Sequence, residues 1–131
     1  MLKIYVTRQS RYPADIKKLK EGVRRVLVDN SATDAEVSVA LVGERKMREL
    51  GQRYLNETEE DEVHEVLSFP SLEGAKEGFL EGEGRLQLGD ILICYPEVRK
   101  IAIKKNRLMD DVLVELAEHG TLHLLGIHHE E

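Results

Sequence analysis

The 131-residue chain has few of the features that mark disulfide-stabilised, membrane-spanning or disordered proteins. Cys94 is the only cysteine, so no disulfide can form within the chain, and only three prolines are present. No apolar run approaches the roughly 20 residues needed to cross a bilayer. The amino-terminal stretch MLKIYVTRQS lacks the long apolar segment of a signal peptide. We therefore expect one globular domain, residues 1–131, in a cytoplasmic protein.

Negative charge is in excess, since 25 acidic and 19 basic residues give a formal net charge of -6. This argues against a protein that coats duplex nucleic acid nonspecifically, because such binding is driven by positive charge. Basic residues still cluster in KKLKEGVRR (17–25) and RKIAIKKNR (99–107). Each cluster is either a solvated helix face or a phosphate-contacting surface, and the sequence leaves both interpretations open.

Hydrophobic periodicity predicts strands where apolar residues alternate and helices where they recur three or four residues apart. The predicted strands are 2–7, 35–42, 63–69 (ended by Pro70) and 85–95, with a bulge near Gly89. The predicted helices run from Pro13 to about Val28, over 44–55, from Pro96 to about Lys105 and from Leu108 to about Leu125.

The remaining segments are predicted loops: 56–62 is acidic and should be exposed, and the glycine-rich stretch 71–84 is a mobile loop or a loose hairpin arm. The order βαβαββαα predicts an α/β (α+β) fold. We expect a single mixed sheet of about four strands with helices packed on it.

Histidine is concentrated near the end of the chain: four of the five lie in HGTLHLLGIHH, residues 119–129. The last predicted helix carries a stripe with steps of four, four, three and four, formed by Leu108, Val112, Leu116, His119 and His123. His119 and His123 therefore continue an apolar face and are expected to point toward protein rather than bulk water. Two imidazoles one turn apart can reach the same metal ion.

Gly126 favours a left-handed end to this helix, after which His128 or His129 could swing back as a third ligand. The spacing alone does not choose between them. Three protein ligands with an open fourth position form a catalytic zinc site, in which the metal lowers the pKa of a bound water to about 7. The alternatives are histidines that are merely hydrogen-bonded in a core, or the remnant of a purification tag. Interleaved leucines in helical register argue against the tag.

Gly120 argues against one class of metal-dependent enzyme, the HExxH peptidases. In HExxH peptidases a glutamate follows the first histidine and acts as the general base, but glycine holds that place here. A peptidase of this type is not expected. The general base of any hydrolase must come from elsewhere, or the metal-bound hydroxide must suffice.

HGTLHLLGIHH resembles the signature H-G-x-L-H-L-x-G-[YF]-D-H of the YbeY-type endoribonucleases. EVLSFP (65–70) and LGDILIC (88–94) resemble two strands of the same family, and the order and spacing of all three stretches agree. The resemblance implies a zincin-like α/β fold and a metal-dependent endoribonuclease specific for single strands. Such enzymes act in maturation of the 3′ end of small-subunit ribosomal RNA and in ribosome quality control.

The resemblance also implies a ligand set and partners. One Zn²⁺ per chain, or another divalent transition metal, is held by His119, His123 and His129, which act in catalysis through the metal-bound water. The expected partners are single-stranded RNA, ribosomal RNA and the small ribosomal subunit, with no membrane. His128 replaces the aspartate of the family and is expected to support a ligand or touch the bound water.

One departure concerns phosphate binding. Matching ELGQRYL (49–55) to the L-N-x-x-[YF]-R stretch of the family places Leu55 where the family has an arginine. Other groups must then meet the phosphate charge. The predicted RNA-binding residues, which precede the histidine helix, are Arg99, Lys100, Lys104, Lys105 and Arg107. Two alternatives remain: another small metal-dependent hydrolase, and a catalytically weak ribosome-associated factor.

Overall fold

The computed structural model describes residues 1–70 and 86–127 of the chain. The predicted loop at 71–84 and the candidate ligands His128 and His129 lie outside these residues.

Four strands and four helices are found in the described residues. The strands are β1 (Lys3–Thr7), β2 (Ala35–Val42), β3 (Val66–Pro70) and β4 (Leu86–Cys94), and the helices are α1 (Ile16–Asp29), α2 (Glu44–Leu55), α3 (Tyr95–Lys105) and α4 (Met109–Leu124). The strands form one sheet in the order β1-β2-β4-β3. β1, β2 and β4 are parallel, and β3 pairs antiparallel with β4. The predicted mixed sheet is confirmed.

The main core lies between the sheet and the pair of helices α1 and α4. In β2 the alternating sequence AEVSVALV buries every second residue, from Ala35 to Leu41, as expected for a strand with one face against the core. The facing helices contribute fully buried side chains that include Leu19, Val23 and Leu27 from α1 and Val112, Leu113 and Ala117 from α4. None of the helices in the described part of the chain is long and apolar enough to span a membrane.

Surface ion pairs also join α1 to α4. The Lys18 ammonium lies 2.6 Å from the Asp111 carboxylate, and the Arg25 guanidinium lies 2.7 Å from that of Glu118. The hydrogen bond with Lys18 lowers the pKa of Asp111. Because all these groups are at least partly exposed, packing rather than charge contributes most of the stability at this contact.

β3 is an edge strand that contacts helices on both faces of the sheet. The Ser68 hydroxyl donates a hydrogen bond of 3.4 Å to the Gly120 carbonyl of α4. The following residue of the strand is Phe69, and its ring centroid lies 5.4 Å from that of Tyr54 on α2. Successive strand residues point to opposite faces, so α4 and α2 cover this edge from opposite sides.

The predicted bounds of β3 were wrong at both ends. The strand begins at Val66 rather than at residue 63, because the chain before it contacts the loop that follows α2, where His64 Nε2 lies 2.5 Å from Glu57 Oε2. At the other end the strand includes Pro70, which pairs with Gly89 as its last residue, so β3 ends one residue later than predicted. Proline is tolerated there because an edge strand can lack one backbone donor.

The start of α1 differs from the prediction, whereas the bulge in β4 agrees with it. The helix begins at Ile16 rather than at Pro13, since the Asp15 side chain accepts a 3.1 Å hydrogen bond from the Lys18 N–H and caps the first turn. The bulge near Gly89 is confirmed: Glu36 pairs with Gln87 and Val37 pairs with Gly89, which leaves one extra residue in β4.

Leu113→Ala should lower the free energy of unfolding by about 2–5 kcal/mol, because it removes buried methyl groups and leaves a cavity. Leu113 is 0% exposed, whereas Leu108, which precedes the same helix, is 70% exposed. Leu108→Ala is therefore the matched control and should change stability by less than about 0.5 kcal/mol. Urea unfolding measures both, and similar losses for the two variants would contradict the described packing of α4.

Candidate metal centre on helix α4

The buried face of α4 is defined by Leu113, Ala117, Gly120 and Leu124, at steps of four, three and four. His119 and His123 each precede one of these positions by a single residue, and both are exposed. One residue turns a helix by about 100°. The expectation that these histidines continue the apolar face and point into protein was therefore wrong: they lie on the flank of the helix.

That flank opens onto a cleft between α4 and β3. The cleft has a volume of about 360 Å³ and is lined by Val66, Leu67, Ser68, Pro70, His119, Gly120 and His123. The two imidazole ring centroids are 4.9 Å apart, and the ring planes meet at 66°. The predicted juxtaposition of two histidines one helical turn apart is thus present, at the surface instead of in the core.

Gly120 allows α4 to approach the sheet closely. A Cβ atom at this position would lie 2.8 Å from Ile91 Cγ2 and 3.0 Å from Ser68 Oγ. Side chains are not tolerated at such distances without movement of the neighbours. A glutamate at this position, as in HExxH peptidases, would clash with Ile91 and Ser68 of the sheet. The close packing of α4 on the sheet therefore leaves no room for that general base.

Gly126 ends the helix as predicted. Its φ of 82° is left-handed. The Gly126 N–H donates to the His123 carbonyl at 2.9 Å, and the Ile127 N–H donates to the Leu122 carbonyl at 2.9 Å. This pair of hydrogen bonds is a Schellman motif, which closes the last turn and redirects the chain. The residues that follow immediately are His128 and His129.

The chemistry of the cleft suits a transition metal. Neutral imidazole is a common ligand of zinc, and two imidazoles at i and i+4 supply half of a tetrahedral site. Within residues 1–70 and 86–127, no group of three His, Cys, Asp or Glu side chains is placed to hold an ion. The described part of the site is therefore a histidine pair that needs at least one more ligand. Cys94 is buried, and burial raises the pKa of its thiol, so it is not a candidate.

The predicted RNA-binding residues are not in this cleft. Arg99 and Arg107 line a separate cleft of about 610 Å³ beside Met109, the first residue of α4. At about 1.5 Å per residue, the start of α4 is about 15 Å from His119. The cleft lined by Arg99 and Arg107 therefore lies near the amino end of α4, whereas the histidine pair lies toward its carboxyl end.

Two of these cations are already paired. The Arg107 guanidinium donates to both carboxylate oxygens of Glu115, at 2.9 and 3.0 Å, and this contact lowers the pKa of Glu115. The Lys100 ammonium lies 2.9 Å from the Glu97 carboxylate. Lys104 and Lys105 are exposed. Leu55, which stands in the position matched to the family arginine, is 45% exposed at the end of α2.

Ser68 is a part of the site that the sequence analysis did not single out. Its hydroxyl lines the cleft and bonds to the helix that carries the histidines. The only sequence signal for it is its position within EVLSFP, the second stretch that resembles the endoribonuclease family.

Comparison with known proteins establishes the family. The sequence profile of the family "Endoribonuclease YbeY" matches residues 5–131. The chain belongs to the endoribonuclease YbeY family. It is 38% identical over 103 residues to Endoribonuclease YbeY of Bradyrhizobium diazoefficiens, covering 79% of this chain and 54% of that protein. It is 36% identical over 112 residues to Endoribonuclease YbeY of an Azoarcus species, covering 86% of this chain and 42% of that protein.

A solved protein structure has a similar fold. The solution structure of TM1509 from Thermotoga maritima is similar with a TM-score of 0.60 and 28% sequence identity, covering 97% of this chain and 75% of that chain. The α/β fold of YbeY-like proteins is therefore shown for this chain. The chain spans only about half the length of the two YbeY relatives described above.

Gly120→Ala should lower the free energy of unfolding by about 1–3 kcal/mol, since the added methyl group overpacks the contact with Ile91 and Ser68. Ile91→Ala makes room for it. In a double-mutant cycle measured by urea unfolding, the combined variant should therefore lose less stability than the sum of the two single variants. Additive losses would show that α4 does not lie against Ile91 at this point.

Proposed function

We propose that this member of the YbeY family is a metal-dependent, single-strand-specific endoribonuclease that acts on ribosomal RNA. The proposed role is maturation of the small-subunit 3′ end and ribosome quality control, with the small ribosomal subunit as partner. The observation that carries the proposal is the pairing of His119 and His123 in one cleft. The names of the relatives support RNA as the substrate.

The proposed metal ligands are His119, His123 and His129, with Zn²⁺ as the ion and His128 beside them. When bound, zinc supplies Lewis-acid stabilisation of negative charge that develops on the phosphodiester. The imidazoles must be neutral to bind it, so metal affinity falls as the pH is lowered. The Schellman turn at Gly126 supports the proposal because it ends α4 just before His128 and His129 in the sequence.

The shape of the cleft supports single-strand specificity. A cleft of about 360 Å³ has room for a group the size of a small ligand and is too small for an RNA duplex. Its β3 wall is mainly apolar, formed by Val66, Leu67 and Pro70. Apolar side chains beside the imidazoles lower the local dielectric constant, which strengthens electrostatic interactions there. We infer that a flexible single strand fits its backbone into this cleft better than a rigid duplex does.

The basic residues provide a second contact for the strand. Arg99, Lys104 and Lys105 form no ion pair with any residue in the described part of the chain, in contrast to Lys100 and Arg107. We infer that an RNA strand reaches from these cations along α4 to the histidine cleft. The separation of about 15 Å means that one phosphate cannot contact both sites.

His119→Ala and His123→Ala should each lower metal affinity by more than about 100-fold, a larger loss than is typical for groups that only support a ligand. Isothermal titration with Zn²⁺ should give about one ion per wild-type chain. His64→Ala is the matched control, because His64 contacts Glu57 instead of lining the cleft, and it should retain the ion. His129→Ala should lose the ion and His128→Ala should keep it. Unchanged stoichiometry in the His119→Ala/His123→Ala double variant would contradict the proposal.

Cleavage of end-labelled RNA tests the proposed function itself. The wild-type chain should cut a single-stranded oligonucleotide but not the same sequence in a duplex. A chelator should abolish cleavage, and added zinc should restore it. His123→Ala should be inactive, whereas His64→Ala should be as active as wild type. A zinc-loaded chain that cuts no single-stranded RNA would refute the nuclease, and co-sedimentation with ribosomal subunits would then indicate a ribosome-associated factor.

Lys104→Ala/Lys105→Ala should weaken single-stranded RNA binding without changing metal content, because each neutralised phosphate releases counterions. The slope of log affinity against log salt, measured by fluorescence anisotropy, should become shallower by about 1–2. The matched control is Lys17→Ala/Arg24→Ala, two exposed cations of the other basic cluster. If only the control pair reduces the slope, α1 rather than α3 carries the phosphate-contacting surface.

A further inference from the structure

The amino end of α2 lacks the usual side-chain cap. Gly43 is the N-cap residue, and it has extended backbone angles of φ -92° and ψ -179°. The first hydrogen bond of the helix is donated by the Met47 N–H to the Gly43 carbonyl, at 3.2 Å. The N–H groups of the three preceding residues have no acceptor within the helix. Together with the helix dipole they make this end of α2 electropositive.

A buried tyrosine hydroxyl points at this helix end. Tyr12 is 5% exposed, and its ring stacks on Tyr95 at 4.7 Å. Its hydroxyl oxygen lies 2.8 Å from the position that a Cβ on Gly43 would occupy. The Tyr95 hydroxyl donates to the Pro13 carbonyl at 2.6 Å. The Tyr12 hydroxyl forms no hydrogen bond within residues 1–70 and 86–127. A buried hydroxyl favours a hydrogen-bonding partner, so it is a donor available to a group at this helix end.

Arg11 brings a cation to the same point. Its guanidinium lies over the Tyr12 ring, 5.1 Å from the centroid. Its Nη2 atom is 3.9 Å from the Cβ position on Gly43. Arg11 forms no ion pair in the described part of the chain, whereas Glu44, the acidic residue of the first turn, is 3.5 Å from Arg48. A guanidinium stacked on a ring keeps the N–H groups at its edge free for an anion.

The Tyr12 hydroxyl and the Arg11 guanidinium both approach the start of α2, and the hydroxyl can come this close because residue 43 is glycine. Any side chain there would displace the Tyr12 hydroxyl. A hydroxyl, a guanidinium and successive helix N–H groups are the donors that phosphate oxygens accept in proteins. The site follows β2 at the carboxyl end of the parallel strands, the edge at which α/β proteins commonly bind ligands. It is separate from the histidine cleft along β3.

We propose that the amino end of α2 binds a phosphate group of the RNA strand through the Tyr12 hydroxyl, the Arg11 guanidinium and the first N–H groups of the helix. The phosphate chemistry stands on the described geometry alone. The assignment of RNA as its source rests on the proposed function.

Titration of the full chain with inorganic phosphate, followed by two-dimensional amide NMR at constant ionic strength, tests the site without RNA or metal. The amide signals of Gly43, Glu44 and Arg45 should shift and saturate with phosphate but not with chloride. Tyr12→Phe and Arg11→Gln should each weaken phosphate binding about tenfold, since each removes a hydrogen bond to a charged group. Arg24→Gln, at an exposed arginine of α1, is the control for charge and should leave binding unchanged. No saturable shift, or equal affinity in Tyr12→Phe, would overturn the site.

A second titration identifies the source of the phosphate. A single-stranded RNA oligonucleotide, added with a chelator to prevent cleavage, should shift the same three amide signals and displace inorganic phosphate. Displacement lost in Tyr12→Phe would support the proposal. RNA that binds the chain without moving these signals would overturn the assignment to RNA and leave free phosphate as the ligand. RNA that binds nowhere would instead count against the proposed nuclease, because the phosphate titration does not depend on it.

Discussion

The candidate site depends on the close contact between α4 and the sheet at Gly120. Because this residue has no side chain, the helix backbone lies against Ile91 and the Ser68 hydroxyl bonds directly to the helix. The contact fixes the rotation of α4. His119 and His123, which each precede a buried residue of α4 by one position, then face β3. A larger residue at position 120 would move or rotate the helix, and the cleft would change with it.

The proposed function needs both a metal site and positive charge for phosphate, and the candidate residues for these two tasks lie apart. The histidine pair lies toward the carboxyl end of α4, and the basic residues of α3 and the following turn lie near its amino end. Several of the charges along the helix neutralise one another, as in the paired contact of Arg107 with Glu115. Positive charge that remains available is therefore local, in a chain whose net charge is -6. The proposed function therefore requires that RNA is held at a few defined points, because the net charge provides no general electrostatic attraction.

The sequence predicted the elements better than their orientation. β2 and α2 have the predicted bounds because their apolar residues alternate or recur with a single clear period. In α4 two apolar lines are present, one through Leu116 and one through Leu113 and Ala117, and periodicity alone does not decide which faces the core. The sheet decides, through the space available at Gly120. The left-handed turn at Gly126 was predictable from glycine chemistry, and the cap at Asp15 is also a local interaction, although the predicted start at Pro13 missed it. The pairing of Pro70 depends on tertiary context.

X-ray absorption spectroscopy of the zinc-loaded chain tests the proposal that His119, His123 and His129 together bind the metal ion. Outer-shell scattering from imidazole rings reports how many histidines bind the ion. We expect three imidazole ligands in the wild-type chain and in His128→Ala, which should keep the ion. A spectrum that shows a sulfur ligand, or fewer than three imidazoles in the wild-type chain, would contradict this ligand set.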